Sequence, residues 1–428
     1  MNYAEALRAL DERIPTRMVP DLDRMRALSE LLDHPQRTYP SIHITGTNGK
    51  TTTAWVATEL LRGAGLKVGT FTSPHLHDVR ERMTFDGAPI SEEEFAQTYT
   101  YLEPFLAQVD ALGERVTYFE TLTMLAQEWF AERAVDVGVF EVGMGGEWDA
   151  TNLIDGRVAV VTEVSLDHPE LGNTPVEIAR EKAGIIKQAA ICVTGERSAD
   201  VRAVIEERCR EMGAILRVDG TDFALYGRDN AVGGQALDIS IAGGTYEQVF
   251  VPLYGERMAT DVLLGLAAVS AFLGDRPLEQ ELVRSALAGM RSPGRIEVLR
   301  RRPLLIVDGA HNPAAALELA NTVQDSFACD RLLLVIGMLD DKDVAGVVDE
   351  IVPIADVVIV TTAPSPRAAP AERIAKEAAR LDAELRIVST VEGAVAQAVE
   401  LAEEGDLILV TGSFTVAAEA RAMVLGLD

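Results

Sequence analysis

Cysteine is scarce in this chain. Three residues, Cys192, Cys209 and Cys329, stand far apart in 428 and none has metal-ligand spacing, which argues against disulfides or a zinc cluster and suits a reducing compartment. Long apolar runs are missing too. No stretch could cross a bilayer, and Met1 to Ile14 carries acids and arginines at helical spacing in place of a secretory leader's apolar run. The expectation is a cytoplasmic protein with no membrane partner. Positive charge is the third shortage: 39 Lys and Arg against 67 Asp and Glu leave a formal net charge of -28. A nucleic-acid partner is therefore not expected, since such binding draws on basic side chains meeting phosphates. An anionic ligand needs a local exception, and Lys50, Arg80, Arg82 and Arg295 are candidates, each in or beside a loop after a predicted strand or a Pro/Gly break. No internal repeat or low-complexity tract is seen. What is there is an ordinary globular composition, 48% hydrophobic and 25% charged, with length for two domains; a monomer is the expectation.

The richest stretch runs from Ser41 to Thr53, a strand that breaks into a glycine-bearing loop and enters a helix. Gly46 and Gly49 lack the Cβ that would keep a phosphate off the backbone, so the loop amides and the helix's positive end can face an anion. Lys50 would reach the terminal phosphates and the Thr51 hydroxyl a magnesium ion. Gly46, Thr47, Asn48, Gly49, Lys50, Thr51 and Thr52 are thus the candidate ATP residues. Ile44 stands where the standard Walker pattern has its first glycine and the loop is two residues shorter, which makes this a variant P-loop.

Beyond it, Thr53 to Ala64 reads as a helix and Lys67 to Thr72 as a strand leading into Ser73-Pro74-His75. Glu92 to Val109 and Phe119 to Arg133 look helical. Val135 to Val142 and Arg157 to Thr162 are buried-strand candidates, closed by Gly143-Met144-Gly145-Gly146 and Ser165-Leu166-Asp167-His168. In an open parallel sheet such strand ends line the ligand crevice, so Lys50, Ser73, Glu141 and His168 can converge. Residues 198–251, with Gly233-Gly234 and Gly243-Gly244 turns, read as a small β-rich excursion, followed by a helix from Met258 to Leu273 and a hinge at Arg291 to Arg295. From Leu304 strand and helix alternate to the end. The predicted fold is α/β: a mostly parallel-sheet ATPase domain over 1–292 and a smaller Rossmann-like α/β domain over 293–428.

Glu141 ends an apolar strand, where a carboxylate is costly to desolvate unless something cationic meets it. With Thr51 and Ser73 it supplies the sparse oxygen ligands magnesium uses beside phosphates and water; alone, it reads equally as a carboxylate bonded to loop amides. His168 by itself reads as a satisfied loop residue, and Lys182, on a predicted helix, as the partner of a nearby acid.

Together these pieces resemble the folylpolyglutamate synthase and dihydrofolate synthase family, a branch of the Mur ligases, over nearly the full length. The resemblance rests on Gly46-Thr47-Asn48-Gly49-Lys50, Thr72-Ser73-Pro74-His75-Leu76, Tyr118-Phe119-Glu120, Glu141 to Gly146 and Asp149-Ala150-Thr151-Asn152. It continues through Asp167-His168, Glu181-Lys182-Ala183-Gly184-Ile185, Ser292-Pro293-Gly294-Arg295, Asp308-Gly309-Ala310-His311-Asn312-Pro313 and Thr411-Gly412-Ser413. It implies an enzyme that uses ATP to phosphorylate a substrate carboxylate, after which the amine of L-glutamate displaces phosphate to give an amide. The acceptor implied is dihydropteroate or a reduced folate. Lys50, His168 and Lys182 are the implied catalytic residues. One magnesium is implied on Thr51, Ser73 and Glu141, and a second between Glu141 and His168, with Lys182 as a further ligand if carbamylated. The resemblance also implies ATP contacts from Asp261, Arg295 and Asp308, with two domains closing at Pro293-Gly294. The implied pterin site comprises Asp23, Arg24, Tyr118, Phe119, Glu120, Thr121, Trp148 and Asp149, although core packing explains any single aromatic as well.

The chain departs from the family's pattern at Asp261, where an asparagine is usual, at Glu147, where an arginine is common, and in a shorter loop after His168. The Lys-Thr-Thr ending of the phosphate loop leans towards the Mur enzymes. Two other readings compete. A ligase of cell-wall precursors would carry an additional N-terminal domain, for which a phosphate loop starting at Gly46 comes too early; a ligase with some other amino-acid or carboxylate substrate stays open. A nucleotide-binding homologue without turnover is favoured by Asp261 and Glu147 and opposed by the joint presence of Lys50, Ser73, Glu141, His168 and Lys182.

Overall fold

A computed structural model describes residues 1–15, 20–166, 169–381 and 383–427. The chain divides into two compact units, one of residues 1–229, 236–251 and 258–290, the other of 230–235, 252–257 and 291–428.

The first unit begins with α1 (Tyr3–Asp11), whose cap Asn2 exchanges hydrogen bonds with Glu5, and α2 (Asp23–Leu31). Then come β1 (Ser41–Thr45), α3 (Lys50–Gly63), β2 (Val68–Phe71), β3 (Met83–Phe85), β4 (Ala88–Pro89), α4 (Glu92–Asp110), α5 (Tyr118–Glu132) and β5 (Val137–Glu141). They are followed by β6 (Gly156–Val161), α6 (Pro175–Ala183), β7 (Ile191–Thr194), α7 (Ala199–Met212) and β8 (Ile215–Val218). Among the described residues these strands form an eight-stranded sheet in the order β4-β3-β2-β5-β1-β6-β7-β8. It is parallel from β2 to β8, with β3 and β4 antiparallel at one edge. The central strands β1 and β5 are buried along their whole length because the sheet is covered on both faces. One core joins α1, α2, α4 and α5 around Phe71, Phe95, Phe130 and Phe140; another joins α6 and α7 around Ile178, Ile186 and Ile205. Since β1 lies between β5 and β6, the loops after these three strands emerge side by side at one end of the sheet.

A three-stranded sheet, β9 (Ala224–Ala231), β10 (Gly234–Ile241) and β11 (Gly244–Val251), comes next, and then α8 (Gly255–Phe272) and α9 (Gln280–Ala288). This corrects the expected excursion over 198–251. Its first part is α7 and β8, which extend the main sheet. Val201, Ile205 and Cys209 recur at helical spacing and are buried, and Gly213 closes the helix in a left-handed conformation. Only 224–251 stand apart as a separate sheet.

The second unit holds β12 (Glu297–Arg301), β13 (Leu304–Val307), α10 (Pro313–Ser326), β14 (Leu332–Ile336), α11 (Val344–Ile351) and β15 (Val357–Val360). It ends with α12 (Ala371–Ala378), β16 (Glu384–Ile387), α13 (Val391–Leu401), β17 (Leu407–Thr411) and α14 (Phe414–Leu425). The strand order is β12-β13-β17-β14-β15-β16, parallel except for β12. Helices α10, α11 and α12 pack on one face and α13 and α14 on the other, the doubly wound arrangement that strand-helix alternation predicts.

Candidate active site

The phosphate loop is shaped by what surrounds it. Gly49 has φ +84°, and a Cβ there would run into the Asp261 carboxylate. Helix α3 starts at Lys50, three residues earlier than expected, because its first bond already runs from Thr53 N–H to the Gly49 carbonyl at 3.0 Å. The amides before it form the positive mouth of the helix. The end of β6 ties the loop down: Thr47 N–H donates to the Glu163 carbonyl (2.7 Å), the Thr47 hydroxyl to that of Ser165 (3.0 Å), and the Thr162 hydroxyl to that of Asn48 (2.6 Å). Lys50 Nζ folds over the loop onto the carbonyls of Gly46 and Thr47, at 2.9 and 3.1 Å. The Thr52 hydroxyl points elsewhere, to the Met258 sulfur of α8, so Thr52 contributes its amide to the mouth and its side chain to the core.

Glu141 is 1% exposed at the end of β5. One oxygen accepts from the Thr51 hydroxyl at 2.9 Å and the other from the Ser73 N–H at 3.0 Å, so the phosphate loop and the ends of β2 and β5 meet on one carboxylate. Of the two readings left open for Glu141, the carboxylate bonded to a loop amide is seen directly in the Ser73 N–H contact, and the Thr51 hydroxyl is the neighbour with which the magnesium reading pairs it. Lys182, on α6 and 4% exposed, donates to the Gly46 carbonyl at 2.7 Å. His168 lies outside the described residues. A hydroxyl beside a carboxylate is a hard-oxygen pair that suits magnesium, an ion that keeps water and phosphate as its other ligands. Among the described residues no three His, Cys, Asp or Glu gather as a metal cluster. The Thr51 hydroxyl and Glu141 therefore fit a magnesium ion, while Ser73 is joined to this carboxylate through its N–H.

The expected acceptor residues cluster around the start of α5. Arg24 meets Glu120 through Nε (3.0 Å) and Nη2 (2.9 Å), and this hydrogen bond is the main influence holding its guanidinium charged. Glu120 also caps α5 through Thr117 N–H. Phe119 lies against Phe71 and closely over Gly143, two residues beyond Glu141. The guanidinium carbon of Arg82 is 5.7 Å from the centre of the Tyr118 ring, and Arg82 Nε donates to His75 Nδ1 at 2.9 Å. Burial, then Arg82, pushes His75 down to about 4. Three expected residues face elsewhere. The Thr121 hydroxyl is bonded back to the Thr117 carbonyl, Trp148 packs against the α6–α7 core, and exposed Asp23 pairs with Arg26.

Asp149 holds its own loop. Its oxygens accept from Met144 N–H (2.9 Å), Thr151 N–H (2.9 Å) and the Thr151 hydroxyl (2.5 Å), while burial raises its pKa. Since that hydroxyl donates to Asp149, it receives its other hydrogen bond from His43 Nε2–H at 2.8 Å. Burial pushes His43 down to about 3.

In the second unit Asp308 ends β13 and accepts from Ile296 N–H (2.9 Å) and Ala310 N–H (2.7 Å). Burial raises its pKa and Arg295 opposes this. The Arg295 guanidinium stacks over Phe414 at 4.2 Å. The two expected nucleotide residues of this unit are thus neighbours, fixed by the turn from Ser292 to Arg295 and by α14.

Two family models match in succession: the Mur ligase middle domain over residues 44–269 and the Mur ligase glutamate ligase domain over 294–414. The chain is 40% identical to the dihydrofolate synthase/folylpolyglutamate synthase of Mycobacterium tuberculosis, across 97% of this chain and 92% of that one. The chain belongs to this family of Mur ligases. Its fold superposes on the M. tuberculosis folylpolyglutamate synthase solved with ADP at a TM-score of 0.95, with 38% identity over 100% of this chain and 98% of that one. Escherichia coli FolC in complex with DHPP and ADP gives a TM-score of 0.89, 30% identity, and coverage of 100% and 98%.

Two of the family departures in this Mur ligase, Asp261 and Glu147, now have a physical setting. Asp261 is 1% exposed and lies against the phosphate-loop glycine, so it sets a carboxyl group against the loop itself. Glu147 faces Arg208 of α7 at 3.8 Å on an exposed surface, a charge arrangement local to α7. Sequence reasoning missed Thr162 and Ser165, which clamp the loop from β6. A hydroxyl residue at the end of a buried strand, followed by a second one three positions on, was the available signal. It also missed His75 as the partner of Arg82, although both residues had been picked out separately.

Proposed function

We infer that this Mur ligase joins L-glutamate to the carboxylate of a folate-type acceptor, consuming ATP through an acyl phosphate. The observation that carries the reading is the buried Glu141 carboxylate shared between Thr51 of the phosphate loop and Ser73 of the neighbouring strand end. An amine does not displace oxide from an ionised carboxylate, so the oxygen must first be made a leaving group. The acceptor carboxylate takes the γ-phosphoryl group, ADP departs, the glutamate amine attacks the acyl carbon, and phosphate leaves with the C–O electron pair. Lys50, the α3 mouth and the loop amides bind and orient the triphosphate. A magnesium ion held by Thr51 and Glu141 would supply charge neutralisation at the transferring phosphoryl group.

Arg295 and Asp308 are proposed as nucleotide contacts and Asp261 as a neighbour of the bound phosphates. Arg24, Glu120, Tyr118 and Phe119 are proposed to border the acceptor. A second magnesium near Glu141 and His168, and a carbamylated Lys182, belong to the same reading; the burial of Lys182 beside Gly46 supports a role at the loop. Incubation with ¹³C-bicarbonate and NMR tests the carbamate directly.

The test of the function is ADP release with ATP, magnesium and glutamate, offering dihydropteroate, tetrahydrofolate or no acceptor, with products weighed by mass spectrometry. Acceptor-dependent ADP and a product heavier by one glutamyl unit are expected, and the preferred acceptor follows from the rates. Nucleotide binding without turnover on either acceptor overturns the assignment.

A further inference from the structure

Arginines withdrawn from solvent in the first unit face carboxylates: Arg13 meets Asp110 at 3.1 Å, Arg24 meets Glu120 at 2.9 Å and Arg217 meets Asp275 at 2.5 Å. Arg82 departs from that pattern. Among the described residues its guanidinium has no ion pair; Nε is taken by His75, and the Tyr118 ring lies against it. Because His75 Nδ1 accepts that bond, the imidazole offers no negative charge in return. Burial is the strongest influence on this guanidinium and acts against its charged form; Tyr118 and the Glu141 carboxylate oppose it only in part, and the remaining cost is one that a bound anion offsets.

The position is also firmly built. The 3-10 turn Val79–Arg82 is capped by Asp78, and Glu81 gathers the N–H groups of Leu76, His77 and Asp78. The Arg82 carbonyl accepts from Thr72 N–H at 2.8 Å. Thr72 adjoins Ser73, whose N–H is on Glu141. The cation is therefore anchored one residue from the Thr51–Ser73–Glu141 corner, whose carboxylate accepts from Thr51 and Ser73 and reaches Arg82 through its charge and not through an ion pair.

We propose that Arg82, aimed by His75 and backed by Tyr118, docks the acceptor carboxylate that is phosphorylated and then holds the acyl phosphate until the amine attacks. This rests on the ligase reading above. The guanidinium keeps its proton throughout. Its terminal N–H groups match a carboxylate and then a phosphate, whose charge they carry while the oxygen–phosphorus bond forms and the bond to ADP breaks. His75 is a positioning residue that acts only through Arg82.

The experiment compares binding of dihydropteroate with its carboxamide analogue by calorimetry, in the wild type and in Arg82→Gln, alongside turnover of each protein. The wild type should prefer the carboxylate, and Arg82→Gln should lose about 10- to 100-fold of that preference while the amide binds as before. The kcat should fall with it, and the KM for ATP should stay. A purely structural Arg82 would weaken carboxylate and amide alike, or neither, and that result in a protein whose wild type turns over overturns the proposal alone. A wild type that turns over no folate acceptor overturns the ligase reading and this proposal together. Should Arg82→Gln not fold, Arg82→Lys carries the same comparison: a few-fold loss of preference supports the docking role and an unchanged preference sinks it. His75→Ala should lower kcat and His75→Asn, whose amide oxygen replaces Nδ1, should restore part of it; an equal loss in both removes His75 from the proposal.

Discussion

Glu141 carries the most at the scale of single residues, because two donors from different strand ends meet on one buried carboxylate. In Glu141→Gln one oxygen becomes an amide nitrogen that must face a donor, and the charge is gone. Turnover should fall about 10²- to 10³-fold, and a magnesium titration of ADP release should need more metal; unchanged turnover would remove this corner from the chemistry. His43 makes a different prediction, about acid stability. Its folded pKa of about 3 lies below the ordinary 6.5, so between those values the unfolded chain binds the extra proton. The stabilisation from keeping His43 neutral is complete above pH 6.5 and lost progressively as pH falls towards 3, at about 2–3 kcal/mol between pH 7 and 4.5. Urea midpoints at the two pH values should separate less in His43→Gln than in the wild type; equal separations would assign the acid sensitivity to other groups.

At the scale of elements, the phosphate loop depends on its neighbouring strand as much as on its own glycines. Thr162→Val keeps the shape of the side chain and removes the bond to the Asn48 carbonyl, a loss of about 1–2 kcal/mol. ADP should bind several-fold more weakly by calorimetry, with a lower melting temperature, and undiminished affinity would show that the loop holds its form without β6. The rhythm of strands and helices was legible because both sheets are covered on both faces, which makes strands such as Val357–Val360 uniformly apolar. Ser91 caps the helix it precedes, and the helix expected over Glu92 to Val109 agrees with α4 to within a residue. Helix α7 was obscured because its three buried residues are spread among seven charged positions, and the glycine turns beyond it drew the reading towards strand. Antiparallel β3, β4 and β12 are short edge pieces whose pairing is decided by tertiary contact. Of the site, Lys50, Thr51, Ser73 and Glu141 were legible from strand ends and hydroxyl residues. The partnership of Arg82 with His75, and of Thr162 with Asn48, needs the three-dimensional approach of separate loops.

On the scale of the whole molecule, the second unit's two apolar cores are drawn almost wholly from residues after 291. Residues 291–428 expressed alone should therefore melt cooperatively, with near-native helix content by circular dichroism; a featureless melt would show that 230–235 and 252–257 are indispensable to it. The order of strands in that sheet has a consequence for how the protein comes into being. Strand β17 is last in the chain yet lies between β13 and β14. Until it arrives, a growing polypeptide holds two sheet fragments with open inner edges, exposed to mispairing during synthesis. A premature stop codon shortly before position 407 would thus remove the centre of a domain, while an extension after α14 would leave it whole.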